Sequence, residues 1–394
     1  MSLVFQMESG RSLPVLTRFE QPITVRVVNP MPAITRSDLA QLLDRLRVEA
    51  GIGVTLTDRT DANIVIETVP ARAMRRLVPH AACFVVPRVQ SWADLPQARR
   101  SGAIDWSTLA VREKAAIFIP DDAAPQEMRD CLHEELAQAL GPLNDLFELP
   151  DSVFNDDNVH AVLTSYDMLI LRAIYHPKLQ SGMSAAEVAE RLPSILAQIN
   201  PTGSAVPTRL LDPTSAAWKR EFETAIGAGG NDRQRLTAAE RAIVLAEQAG
   251  WTDHRLGFAY YVHGRLLMQD DPARALERLI AADRLLAMQP LTDLHRTHVA
   301  AQTIAFALHS GDAEMVLAIT ERAMPIARQY QNAALLAVMM MFRAEALDLL
   351  GQSDAAQRQR LDSLGWARYG FGSRAAVIDQ LNAIAALAPQ SAQS

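Results

Sequence analysis

The chain has 394 residues, of which 49% are hydrophobic and 21% charged, and its formal net charge is −7. That length exceeds what one core usually serves, so two domains are expected, with the composition of a folded soluble protein. A net negative chain has no electrostatic footprint for DNA or RNA. No apolar run approaches the roughly 18 residues that a membrane span needs.

Residues 1–20 begin "MSLVFQMESGRSL" and have neither the apolar stretch nor the small-residue cleavage pattern of a signal peptide. They read as a tail whose first residues are an expression scar joined to a mature chain. From 21 to 120 strands and helices alternate. "PITVRVV" (22–28) is β-rich, and "RSDLAQLLDRLRVEAG" (36–51) has helical apolar spacing and ends on glycine. "GVTLTD", "ANIVIETV", "ACFVVPRV" and "AAIFIPDD" read as short strands closed by Pro120. A helix then runs from about Pro125 to Leu140 and stops at Gly141-Pro142.

Two more helices follow: "LTSYDMLILRAIYH", capped by Thr164 or Ser165, and "SAAEVAERLPSILAQI", with a capping box from Ser184 to Glu187. Residues 200–213, "NPTGSAVPTRLLDP", read as a linker. Beyond it no strand is expected. Helices are predicted near 214–227, 231–249, 253–269, 272–288, 292–310, 312–330, 332–350, 353–368 and 373–387. The turns between them place Asp271, Asp312 and Asp354 at spacings of 41 and 42, and small residues pair seven apart at Ala275/Ala282 and Val316/Ala323. These features resemble tetratricopeptide repeats, whose usual period is about 34, and 214–394 reads as an all-α solenoid of helical hairpins.

The chemistry concentrates in "LHEELAQALGPLND" (132–145). From His133-Glu134, the second metal slot falls on Ala137, which binds nothing. One residue later the string is Glu134-Glu135-x-x-Gln138-x-x-Gly141-x-x-Asn144-Asp145, with polar groups or glycine at every position of a metzincin-type pattern. Residues 134 and 138 share a helix face, and Gly141 would allow a turn that returns Asn144 or Asp145 to the same point.

In this register the stretch resembles the zincin superfamily. "DSVFNDDN" followed by "LTSYDMLILRAIY" is similar to the matrixin turn and helix: Leu163, Thr164, Asp167, Ile174 and Tyr175 keep the form, with Phe154 in the turn methionine's slot. Residues 21–190 resemble the bacterial family called domain of unknown function 2927. That resemblance implies an α+β zincin-like fold in residues 21–199 and an exported, periplasmic or secreted protein whose signal peptide is missing from this sequence. It implies no activity.

Glu134 and Asp145 are oxygen donors, and Gln138 and Asn144 offer only neutral carbonyls, so zinc is disfavoured and any cation would be a weakly held Ca²⁺ or Mg²⁺. Glu135 occupies the general-base position. Three readings stand side by side: a structural hydrogen-bond cluster beneath a cleft, a weak hard-metal site, and a zinc hydrolase. His133, Gly141 and Phe154 are expected around the cleft.

Cys83 and Cys131 are the only cysteines. They are either two buried thiols or, in an oxidising compartment, a disulfide tying a strand to the cleft helix. His295 and His298 lie three apart on a helix as a metal pair or as solvated histidines, and "LAVMMMFRAEAL" reads as solenoid core. "GAGGND" lacks the strand and lysine of a phosphate loop, and no GxSxG elbow occurs.

The expected function is binding of a peptide or protein partner, in the cleft or the solenoid groove, with no nucleic acid and no membrane span. The alternative is a divergent metallohydrolase using Glu135.

Overall fold

The computed structural model describes residues 1–389 except 80, 156, 158, 206–211 and 228. The middle of the expected linker therefore lies outside the described residues. The chain divides into two compact units, Met1–Ala123 with Glu127–Asp212, and Ala124–Gln126 with Pro213–Ser394.

In the first unit the helices are α1 (Ser2–Phe5), α2 (Ala33–Glu49), α3 (Ala71–Leu77), α4 (Leu95–Ser101), α5 (Pro125–Leu140), α6 (Ser165–Ile174) and α7 (Ala185–Ile199). The strands are β1 (Ile23–Val27), β2 (Val54–Leu56), β3 (Ile64–Val69), β4 (Phe84–Pro87) and β5 (Ala115–Pro120). They form one sheet in the order β2-β1-β3-β5-β4. The first three pairings are parallel and β4 runs antiparallel to β5, leaving β4 on an edge. Strands β3 and β5 are buried almost throughout, as expected for central strands covered on both faces.

The first unit is thus an α/β region with a mixed sheet. All five predicted strands form, and α5 starts and stops where Pro125 and Gly141-Pro142 place it.

Residues 1–20 are not a tail. Leu3, Val4, Phe5, Leu13, Leu16 and Phe19 join the hydrophobic core. Gln6 bridges Ser12 across a turn in which Gly10 has φ +78°, a conformation that glycine adopts without strain. The segment is held along its length: Leu143 N–H donates to the Leu3 carbonyl (2.8 Å), Glu8 N–H to Leu143 (3.1 Å) and Gly182 N–H to Leu16 (2.9 Å).

The second unit is helical throughout: α8 (Ala216–Ile226), α9 (Asp232–Gln248), α10 (His254–Leu267), α11 (Pro272–Ala287), α12 (Asp293–His309), α13 (Ala313–Gln329), α14 (Ala333–Leu349), α15 (Ser353–Phe371) and α16 (Arg374–Ala385). Each helix packs on the next, and α8, α10, α12, α14 and α16 also touch in series. The even-numbered helices thus have neighbours on several sides. This explains why α14 can be apolar nearly all round, with Met339, Met340 and Met341 buried. Ala275, Ala282, Val316 and Ala323 are buried at helix contacts.

The turn aspartates divide: Asp271 and Asp312 are N-caps, whereas Asp354 sits inside the first turn of α15. No helix among the described residues is long and apolar enough to cross a membrane.

Candidate functional site

Helix α5 follows the central strand β5 and buries Leu132, Leu136 and Leu140 completely. Its opposite spacing, 131, 134, 135 and 138, forms one face by helical geometry. Cys131 on that face is bonded to Cys83, immediately before edge strand β4, with Cα atoms 5.9 Å apart. The expected disulfide is therefore present, and it tacks β4 to α5.

Between them opens a cleft of about 670 Å³. Its acidic and amide side comprises Glu134, Glu135 and Gln138 of α5, Asp145 from the segment after it, and Glu8 from the N-terminal turn. Its apolar side comprises Leu77, Val78, Phe84, Trp106 and Leu143.

Glu135 is the deepest of the acids, only 3% exposed. Its Oε2 is buried without a hydrogen-bond partner, while the Val85 backbone N–H serves the carboxyl. Burial, then the nearby charges of Glu134, Glu8 and Asp145, push its pKa well above the ordinary carboxylate value. Gln138 Nε2 donates to Glu8 Oε1 at 3.4 Å, joining helix and N-terminal turn across the cleft.

Of the expected set, the structure gathers Glu134, Glu135, Gln138 and Asp145 and leaves four residues elsewhere. Asn144 is buried and does not line the cleft. His133 points away: its Nδ1 accepts from Leu163 N–H (3.2 Å), and burial, then Arg129 and Arg45, hold its pKa well below the usual imidazole value. Gly141 does not line the cleft; it sits at a bend packed so closely that a Cβ there would lie 3.0 Å from the Ile174 side chain. Phe154 is fully buried, its carbonyl accepting from Leu146 N–H.

The turn before α6 is locked by a capping box, with Thr164 as the N-cap among the two expected candidates. Thr164 and Asp167 cap reciprocally, while Asp167 accepts from Ser152 Oγ (2.5 Å) and Val153 N–H (3.2 Å). His295 is neither solvated nor a ligand partner of His298 in any cluster of three donors among the described residues. Its ring packs edge-on against Phe258 (5.6 Å) and beside His254 (6.3 Å).

Two contributors escaped the sequence reading. Glu8 is one; its only signal is Ser9-Gly10, a turn dipeptide between apolar residues. Arg112 is the other. It is buried and donates to the carbonyls of Ala139 (2.8 Å) and Gly141 (2.7 Å) and to Thr17 Oγ1 (3.1 Å), with its guanidinium over Trp106. It ties off the C-terminal end of α5, where helix carbonyls lack internal partners.

Among the described residues, one set of three donor atoms lies within 4.8 Å of one another: Cys83, Glu134 and Glu135. The Cys83 sulfur is committed to the disulfide and is not a thiolate ligand. That leaves two carboxylates.

Residues 1–194 match the family described as "Protein of unknown function (DUF2927)". The match begins at residue 1, so the segment expected to be an appended tail lies within the family region. It ends inside α7 and includes every residue of the cleft. No curated protein and no solved structure matches the chain.

Proposed function

We propose that this is an exported binding protein. Its N-terminal unit is a zincin-like domain that holds an extended peptide or protein segment without cutting it, and its C-terminal helices form a tetratricopeptide-like solenoid with a second groove for partners. One observation carries the reading of the cleft: among the described residues its donors are oxygens alone. Among the described residues, the imidazole beside Glu134, His133, is turned to Leu163, and the nearby sulfur, Cys83, is in a disulfide. Zinc in a hydrolytic site depends on nitrogen or sulfur ligands. An all-oxygen set suits Ca²⁺ or Mg²⁺ with several waters if it holds a cation at all.

The cleft borders β4, the edge of the sheet. An edge strand can pair with an added extended segment, whose alternate side chains then enter flanking pockets. The disulfide that fixes β4 to α5 also fits an oxidising compartment.

A second reading, a divergent metallohydrolase, is favoured by Glu135, since burial raises its carboxyl pKa in the direction that acid–base work uses. That reading needs a strong Lewis acid to lower the pKa of the attacked water, and two carboxylates without nitrogen or thiolate are a weak donor set for zinc.

Incubating the protein with a mixture of synthetic peptides and separating the bound fraction by gel filtration decides between them. Mass spectrometry should show intact peptides retained and no new termini. New termini that disappear in Glu135→Ala would establish the hydrolase, and a bound fraction free of peptides would remove the binding reading.

A further inference from the structure

Acidic side chains reach the cleft from three separate segments: Glu8 from the N-terminal turn, Glu134 and Glu135 from α5, and Asp145 from the stretch after it. Segments that are distant in sequence have no local reason to bring like charges together. An acidic cluster alone is a common surface feature. The distinguishing observation is Glu135, a cleft-lining residue only 3% exposed, one of whose carboxyl oxygens has no hydrogen-bond partner among the described residues. A buried polar atom left unsatisfied in the free protein is costly, and a donor supplied by a ligand removes that cost.

The same lining includes Leu77, Val78, Phe84 and Trp106. The cleft therefore combines apolar and acidic lining, a combination that matches a methylene stem ending in a charged nitrogen. Its volume of about 670 Å³ accommodates one long side chain together with part of its backbone.

We propose that the cleft selects a lysine or arginine side chain of an extended partner segment lying beside β4, the stem along Phe84 and Leu77 and the cationic head among Glu8, Glu134, Glu135 and Asp145. The inference rests on the peptide-binding reading above and adds the chemistry of the partner. Arginine fits best, since its several N–H donors can serve Glu135 Oε2 and a second carboxylate at once. A divalent cation is the competing occupant, and the test separates the two.

The test is fluorescence anisotropy at physiological ionic strength with dye-labelled short Val/Thr peptides that differ at one central position, carrying arginine, lysine, norleucine or glutamate. The arginine and lysine peptides should bind roughly tenfold or more tighter than the norleucine peptide, and the glutamate peptide weakest of all. In Glu134→Gln/Asp145→Asn, with a cooperative melt as evidence of folding, the arginine-over-norleucine preference should collapse to less than about threefold.

Equal affinity for arginine and norleucine in the wild-type protein overturns the inference, whether or not the variant folds, and leaves peptide binding intact. If no peptide binds, the underlying reading fails and the inference with it. Calcium or magnesium ions alone binding one per chain, and displacing the arginine peptide, would assign the acids to a metal and also overturn the proposal.

Discussion

Arg112→Met should destabilise the N-terminal unit by roughly 3–5 kcal/mol, with the loss visible as a lowered denaturant midpoint at unchanged slope. The Arg112 guanidinium is buried, and burial lowers its pKa to about 10. Its hydrogen bonds go to the carbonyls of Gln138, Ala139 and Gly141, the last groups of α5 and the first beyond it. Methionine keeps much of the volume and the contact with Trp106. The Gln138 carbonyl still accepts from Gly141 N–H, but the Ala139 and Gly141 carbonyls lose the Arg112 donor, each worth about 1–3 kcal/mol when stranded in a dry interior. Relief from burying a charge offsets part of this. Arg112→Lys should fall between, because one ammonium cannot span three carbonyls. A loss below about 1 kcal/mol for the methionine variant would show that the helix end has other partners.

Replacing both Cys83 and Cys131 by serine should cost roughly 4 kcal/mol, the chain-entropy value for the 48-residue separation. Reduction should lower the stability of the wild-type protein by a similar amount and leave the double variant unchanged. The same experiment bears on the cleft, since the bond fastens β4 to α5 beside Glu134 and Glu135. Loosening it should therefore weaken peptide binding before the unit unfolds. Two thiols alkylated in the unreduced, denatured protein would contradict the disulfide and weaken the inference of export.

The regular elements were legible because their signals are local. Apolar runs such as "ANIVIETV" and "AAIFIP" bounded by turn residues formed strands, and Thr164/Asp167 and Ser184/Glu187 formed capping boxes, because period and cap chemistry act within a few residues. The shared face of Glu134 and Gln138 followed from helix geometry alone. Short helices α3 and α4 were missed, since "ARAMRRL" and "LPQARRS" carry little apolar periodicity.

The features read incorrectly depend on contacts distant in sequence. Residues 1–20 have no repeating pattern; they are ordered by backbone hydrogen bonds to Leu143 and Met183 and by burial of Leu3 and Phe5. Glu8 enters the cleft only because that segment wraps there. His133 looked like a neighbour of the site from its position, yet one residue of helical rotation is about 100°, enough to turn it toward Leu163. Arg112 lies in the polar string "VREKAA", where nothing local marks a charge destined for the interior.

The central claim of the proposed function is that α5 corresponds to a zinc-protease helix with oxygen side chains at the ligand positions. Zinc content per chain, measured by elemental analysis on protein isolated without chelators and dialysed against a zinc-buffered solution, tests it most directly when the wild type is compared with Glu134→His/Gln138→His. The double variant places two imidazoles one turn apart on the face that already carries Glu135, with Asp145 near. The account predicts less than about 0.1 zinc in the wild type and close to one in the variant. Stoichiometric zinc in the wild-type protein would contradict it.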